Sequence, residues 1–388
     1  MKTAVWLYLF MFVAIFDLHA QYPILSPFAI SLGATPSFIG LILGVYSITH
    51  LPGNLLAGVG VDRYGSKTFI VVSLIAAGIA LLYQSQVTDP WHLLIIRSIS
   101  GFVLAFLSPA CLALLAKIAK DRIQQGKLMA GNGLVHTLAS VVSPAAGAYL
   151  VAKLGFSTSF TLLGWGLILT GLLAILGVRE APAADAPAAH ADRLHLPQAA
   201  ISSTKESAPA DGPIPWLFFG IPLAISCSQG ILFFELPLMK AAQSSIMSSG
   251  LLFSMVSLGA LFTLSLLFLS RISAFLRTLG GSLALALIFF GMSVQWGVPL
   301  FASLFLIGMA KGVIFPAIAT LLAGITPDRK YGRVFALLSV AFSVGAFLGP
   351  VLAGQLRLQL SPYFIAFLAL MLGLTLLPLG RLRLIAAP

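Results

Sequence analysis

Asp17, Arg97, Glu235 and Lys311 are charged side chains set inside long apolar runs of the sequence. A charge near the centre of a bilayer costs about 2.5 to 3.5 kcal/mol on insertion scales, so charges kept there usually face a cavity and serve function. Asp17 lies in the first run, roughly 20 Å along a helix from its start at 1.5 Å per residue. Gln21 follows it by one helical turn and shares its face. A carboxyl group in such a space can take up and release a proton as the space opens to one side and then the other, which is what proton coupling requires. Asp17 reads either as that proton site or as a structural ion-pair partner of Arg97. Glu235 reads either as a second acid of the cavity or as a residue lining its mouth, about one turn from the end of its run. Lys311 reads either as a counter-charge for a substrate or as the group that neutralises Glu235.

The runs that must position these groups make up most of the chain. Of 388 residues, 59% are hydrophobic and 9% charged, which is more apolar side chain than a soluble core of this length requires. The composition is that of an all-α polytopic membrane protein. A hydrocarbon layer about 30 Å thick asks for about 20 apolar residues per helix, and about twelve such runs are present. They fall near 4 to 28, 38 to 61, 68 to 86, 91 to 115, 128 to 152, 158 to 178, 215 to 240, 248 to 270, 276 to 295, 299 to 323, 333 to 356 and 361 to 380. Residues 181–212, rich in Ala, Pro, Ser and charge, cannot bury apolar surface and read as a cytoplasmic linker. They separate a first bundle, 1–180, from a second, 213–388.

The net charge of +11 is a topology signal and no sign of nucleic acid. Most of the 22 Lys and Arg fall in alternate loops, among them Arg63, Lys67, Lys117, Lys120, Arg122, Arg329, Lys330 and Arg333. Only Lys153, Lys240 and Arg357 lie at or near the opposite side, which puts both termini in the cytoplasm of a protein of the cell membrane. Leu18-His19-Ala20 is a poor cleavage site, so the first run reads as a spanning helix. Cys111 and Cys227 both lie in apolar runs and read as packing residues. His19 reads as a packing or cavity-wall residue, and His50, His92 and His136 have no metal-ligand spacing.

Between the second and third runs stands Gly58-Val59-Gly60-Val61-Asp62-Arg63-Tyr64-Gly65-Ser66-Lys67. Gly58 and Gly60 let another helix come close, and Gly65 can take the positive φ of a sharp turn. Asp62 suits the positive N-terminal end of a neighbouring helix, and Arg63 and Lys67 mark the cytoplasmic side. The pattern G-x-x-x-D-R-x-G-x-K resembles the signature loop between helices 2 and 3 of the major facilitator superfamily of transporters, with Ser66 where the family usually has arginine.

The two halves of the chain also resemble each other. Pro109 to Arg122 aligns with Pro316 to Arg329, and after a one-residue slip Gly126, Ala130 and Pro144 match Gly332, Ala336 and Pro350. The match of Tyr22-Pro23 to Leu236-Pro237 sets Glu235 opposite Gln21. Six plus six helices about a linker is a parallel repeat. Arg97-Ser98-Ile99-Ser100-Gly101 resembles the family's helix 4 motif, in which a buried arginine precedes a glycine-rich face. The stretch with Ser143, Pro144 and Gly147 resembles a worn form of the helix 5 motif of exporters that exchange substrate for protons. Its repeat partner keeps Gly345, Gly349, Pro350 and Gly354. Plain helix packing with a proline bend explains the same small residues.

The resemblance implies two six-helix bundles related by a pseudo-two-fold repeat, with helices 1, 4, 7 and 10 lining a central cavity. It places Asp17, Gln21, Arg97, Glu235 and Lys311 around one substrate and proton space. The Asp62 turn is then expected to act as a conformational latch, with Asp62 holding helix 2 to the start of helix 11 near Gly332 and Arg333 in one state of the alternation. Proton-driven efflux of small amphiphilic or drug-like compounds is the leading reading, because acids in an apolar cavity suit cationic or neutral substrates. The alternative is proton symport of a small organic anion, clasped by Arg97 and Lys311. No G-x-S-x-G, H-E-x-x-H or Walker motif is present, so neither an enzyme nor an ATP-driven pump is expected. No cofactor or metal is expected, and the proton is the expected coupling ion. The expected partners are the bilayer and a small-molecule substrate, with the protein a monomer.

Overall fold

A computed structural model of the chain describes residues 2–119, 121–178, 216–239, 245–266, 269, 271–326 and 331–376. The expected linker lies outside them, as do the side chains of Asp62, Tyr331 and Gly332. The described residues form helices and turns without a strand. An apolar run in lipid has no water to satisfy its backbone, and the helix is the structure that satisfies it within the segment.

The helices are α1 (Lys2–Ser31), α2 (Pro36–Tyr64), α3 (Ser66–Gln84), α4 (Pro90–Leu104), α5 (Leu107–Lys117), α6 (Arg122–Gly177), α7 (Gly220–Glu235), α8 (Ile246–Ser265), α9 (Ala274–Ser293), α10 (Leu300–Ile325), α11 (Tyr331–Leu356) and α12 (Pro362–Thr375). Among the described residues ten helices are long and apolar enough to cross a bilayer, counting α4 and α5 as one span, and α12 is a shorter apolar helix. One of the ten is α6, which is two arms meeting at Gly155, where φ is 78° and ψ 173°. Each arm corresponds to one expected run. The break between α4 and α5 falls just before Pro109, whose ring removes the hydrogen bond to Ala105 and crowds its carbonyl. The repeat-related Pro316 lies inside α10, which continues as one helix.

Large apolar side chains such as Val59, Leu134, Trp165, Leu176 and Leu287 are exposed on the helices. In water so much exposed apolar surface would drive association. A bilayer is their natural solvent, and the chain is a multi-pass membrane protein.

The chain divides into two compact units, one of Met1–Gly33 with Val45–Thr204, the other of Ala34–Gly44 with Lys205–Pro388. The division therefore falls within α2. In the first unit α1 packs along α6, and α3 along α6 and α4. In the second, α7 packs along α11 and α12, α8 along α10, and α9 along α10 and α12. The pairing of α1 with α6 recurs as α7 with α11, as an internal repeat requires. Small residues set both approaches. A Cβ on Gly147 would meet the Ala20 carbonyl and side chain, and one on Gly349 would meet the Cys227 carbonyl and the Ile231 nitrogen. Gly345 lies against Leu223 and Ser226 in the same way, and the Pro350 ring lies against Gly230. Ser143 is buried and returns its hydroxyl to the Ala139 carbonyl at 2.6 Å, next to Pro144 inside α6.

Candidate functional site

In the first unit, α1, α3 and α4 bring polar side chains together inside apolar surroundings. Asp17 and Gln21 project from one face of α1, and Gln21 Nε2 donates to Asp17 Oδ1 at 3.0 Å. Gln21 Oε1 accepts from Arg97 Nη1 of α4 at 3.0 Å and from Gln84 Nε2 of α3 at 3.2 Å. All four side chains are buried. The Arg97 guanidinium also lies over the Tyr46 ring of α2, 4.6 Å from its centroid. Gly101, one turn after Arg97, permits this: a Cβ there would meet the Tyr46 backbone and the Thr49 hydroxyl.

The direct ion pair of Asp17 with Arg97, one of the two readings of Asp17, is not formed. A neutral amide stands between carboxylate and guanidinium and binds both. Arg97 Nε and Gln84 Oε1 are buried without a hydrogen-bond partner, so the cluster keeps polar capacity in reserve. Asp17, Gln21, Tyr46, Arg97, Ser100 and Leu104 are among the residues lining a crevice too tight for a water molecule. The cluster can therefore hold a charge pair in a dry place and change its hydrogen bonding with a single amide rotation.

In the second unit Glu235 has a partner other than Lys311, the neutralising group that one of the two readings of Lys311 offered. Arg357, just past the end of α11, donates Nε to Glu235 Oε2 at 2.9 Å and Nη2 to Oε1 at 3.1 Å. The same Nη2 reaches the Leu238 carbonyl at 3.4 Å, in the turn that follows α7. Two parallel bonds between guanidinium and carboxylate are a strong and directional pairing. The reading of Lys311 as the neutraliser of Glu235 is therefore corrected. Lys311 is half-buried in α10, and its ammonium lies 5.8 Å from the Phe315 ring centroid.

The loop between α2 and α3 is as tight as its glycine requires. Gly65 has φ 85° and ψ 153° between the two helices, the positive φ expected of it. A Cβ on Gly60 would meet the Phe69 ring, whereas one on Gly58 would meet nothing within 4 Å among the described residues, so no close approach at Gly58 is made by them. Lys67 donates to the Ile175 carbonyl at 2.7 Å, one turn from the end of α6, where free carbonyls and the helix dipole favour a cation. Arg63 is exposed and lies 5.3 Å from the Tyr64 ring centroid. The side chain of Asp62 lies outside the described residues, and with it the expected latch to the start of α11.

Sequence reasoning missed Gln84, Tyr46 and Arg357. A glutamine closing an apolar run was the available signal for Gln84, and Tyr46 had none. The histidines are less scattered than they read: His19 lies 5.8 Å from His136 of α6 and 5.1 Å from Tyr22, ring centroid to centroid. Among the described residues no three His, Cys, Asp or Glu side chains come together as a metal site.

Comparison with known proteins agrees with this architecture. The family model described as Major Facilitator Superfamily matches residues 7–297 and 275–385. A protein of Lactococcus lactis named as a homologue of the multi-drug resistance efflux pump PmrA is 24% identical over 343 residues, 86% of this chain and 83% of its own. An uncharacterised MFS-type transporter of Methanocaldococcus jannaschii is 29% identical over 158 residues, 41% of each chain. Among solved structures, a bacterial homologue of the human lysosomal transporter Spinster, in an inward-facing and occupied conformation, has a TM-score of 0.71 at 16% identity. That likeness covers 99% of this chain and 96% of the other.

Proposed function

This chain belongs to the major facilitator superfamily of transporters, and from that premise we propose that it exports small amphiphilic or drug-like compounds in exchange for protons, by alternating access. Its two bundles, 1–180 and 213–388, are joined by the cytoplasmic stretch 181–212. It works as a monomer in the cell membrane with both termini in the cytoplasm, an orientation supported by the bias of Lys and Arg toward alternate loops. Relatives that bear the name of efflux pumps support the direction of transport.

The observation that carries proton coupling is the bridge from Asp17 through Gln21 to Arg97. With Asp17 ionised the cluster is neutral. A proton on Asp17 breaks no direct ion pair, yet it leaves Arg97 as an uncompensated charge in a dry site. That imbalance is the kind of free-energy difference that can shift a two-state equilibrium. Protonation is thereby linked to conformation through one amide.

Transport in proteoliposomes under an imposed pH gradient tests this, with ethidium as a lipophilic cation and indoleacetate as an organic anion, and wild type compared with Asp17→Asn. Accumulation against the proton gradient that the variant loses is the expected result. Flux that runs with the protons overturns antiport in favour of symport. Flux indifferent to the gradient overturns proton coupling.

A further inference from the structure

Both acids placed within the spans already have counterparts in the chain. Asp17 is linked through Gln21 to Arg97 in the first unit, and Glu235 is clasped by Arg357 in the second. Lys311 differs from these cations. Among the described residues no carboxylate stands within ion-pair distance of it, and its ammonium rests against the Phe315 ring. It stands near the middle of α10, which runs Leu300–Ile325. An aromatic face offsets only part of the cost of holding a charge at mid-span. The position is under-compensated by the chain alone.

Its surroundings are built of aromatic rings from two helices. Phe315 packs on Phe342 of α11 with centroids 5.6 Å apart, and the Phe342 carbonyl accepts the Ser226 hydroxyl of α7 at 2.6 Å. Phe315, the ring beside Lys311, thus meets α11 at Phe342, and α7 is tied to that same residue. We propose that Lys311, Phe315 and Phe342 form a subsite for an amphiphilic organic anion, with the acidic group on Lys311 and an aromatic or apolar body against the two rings. This deepens the transporter reading and rests on it. It reverses the preference for cationic substrates that the acids suggested, since those acids are already engaged.

Calorimetric titration of the purified full-length protein with indoleacetate, tryptophol and tryptamine tests the subsite, because the three share one ring and differ in the charge of the end group. Wild type is expected to bind indoleacetate most tightly. Lys311→Gln is expected to weaken indoleacetate at least about tenfold, since a charge-assisted bond is lost. Its tryptophol affinity stays within about twofold, which also shows that the variant is folded, and Lys311→Arg retains indoleacetate binding. Equal affinity of wild type and Lys311→Gln for indoleacetate overturns the subsite, as does tighter binding of tryptamine than of indoleacetate, or no binding of indoleacetate to wild type. The titration uses no gradient, so a failure of proton coupling at Asp17 and a failure of this subsite register in separate experiments.

Discussion

Arg357 clasps Glu235 through two nearly parallel hydrogen bonds of 2.9 and 3.1 Å, and so ties the residue after α11 to the last residue of α7. The Arg357 side chain is 30% exposed and that of Glu235 11%, so the pair is only partly withdrawn from its surroundings. Arg357→Ala is expected to lower stability by about 1 to 3 kcal/mol, because it strands a largely buried carboxylate. A double-mutant cycle with Glu235→Gln, read from thermal melts, should give a coupling of about 1 kcal/mol or more. A coupling near zero would show that the pair contributes nothing.

Gln21 is the joint of the cluster in the first unit, with one bond to Asp17, one to Arg97 and one to Gln84. Gln21→Leu leaves three buried polar partners without it and is expected to cost about 2 to 3 kcal/mol. Asp17→Asn keeps an oxygen for Gln21 but removes the charge that balances the buried Arg97, so it is expected to cost about 1 to 2 kcal/mol, less than Gln21→Leu. Melting curves of the two variants check this ordering, and the reverse order would mean that Gln21 is not the joint.

Two glycines of the loop motif should respond with opposite signs. Gly65 holds a φ of 85°, so Gly65→Ala is expected to destabilise by about 1 kcal/mol or more. Gly58 lies within α2 with open space at its Cβ position, so Gly58→Ala should stabilise by about 0.5 to 1 kcal/mol. Thermal melts of both variants decide; the same sign in both would mean the backbone argument fails.

The approach of α7 to α11 rests on Gly349. A Cβ there meets the Cys227 carbonyl, and Gly349→Ala is expected to cost about 1 to 3 kcal/mol by overpacking. Gly126→Ala, in α6 with nothing near its Cβ position, is the control and should be neutral or stabilising. Equal losses at both sites, measured by melting or by monodispersity in detergent, would remove the packing explanation.

The spans were legible because each is a local matter. Whether about 20 residues cross a bilayer depends on their own hydropathy and on the backbone bonds they make among themselves. The pairing of Asp17 with Gln21 was legible for the same reason, since both sit on one helix a turn apart. Gly65 was legible because a sharp turn asks for a positive φ. Gly58 was misread because a small residue shows only that an approach is allowed, and the structure decides whether one occurs.

The sequence by itself determined a membrane protein of many apolar helices, the loop that resembles the family, the internal repeat, and which charges lie within the spans. The tertiary structure alone decided their partners: Arg357 for Glu235, Gln21 between Asp17 and Arg97, Tyr46 beneath the guanidinium, and the Phe315 ring beside Lys311. The physical reason is range. Transfer into lipid acts on each segment separately and is written along the chain, whereas the partner of a buried polar group depends on which helix faces come together, and that is set by packing between residues far apart in sequence.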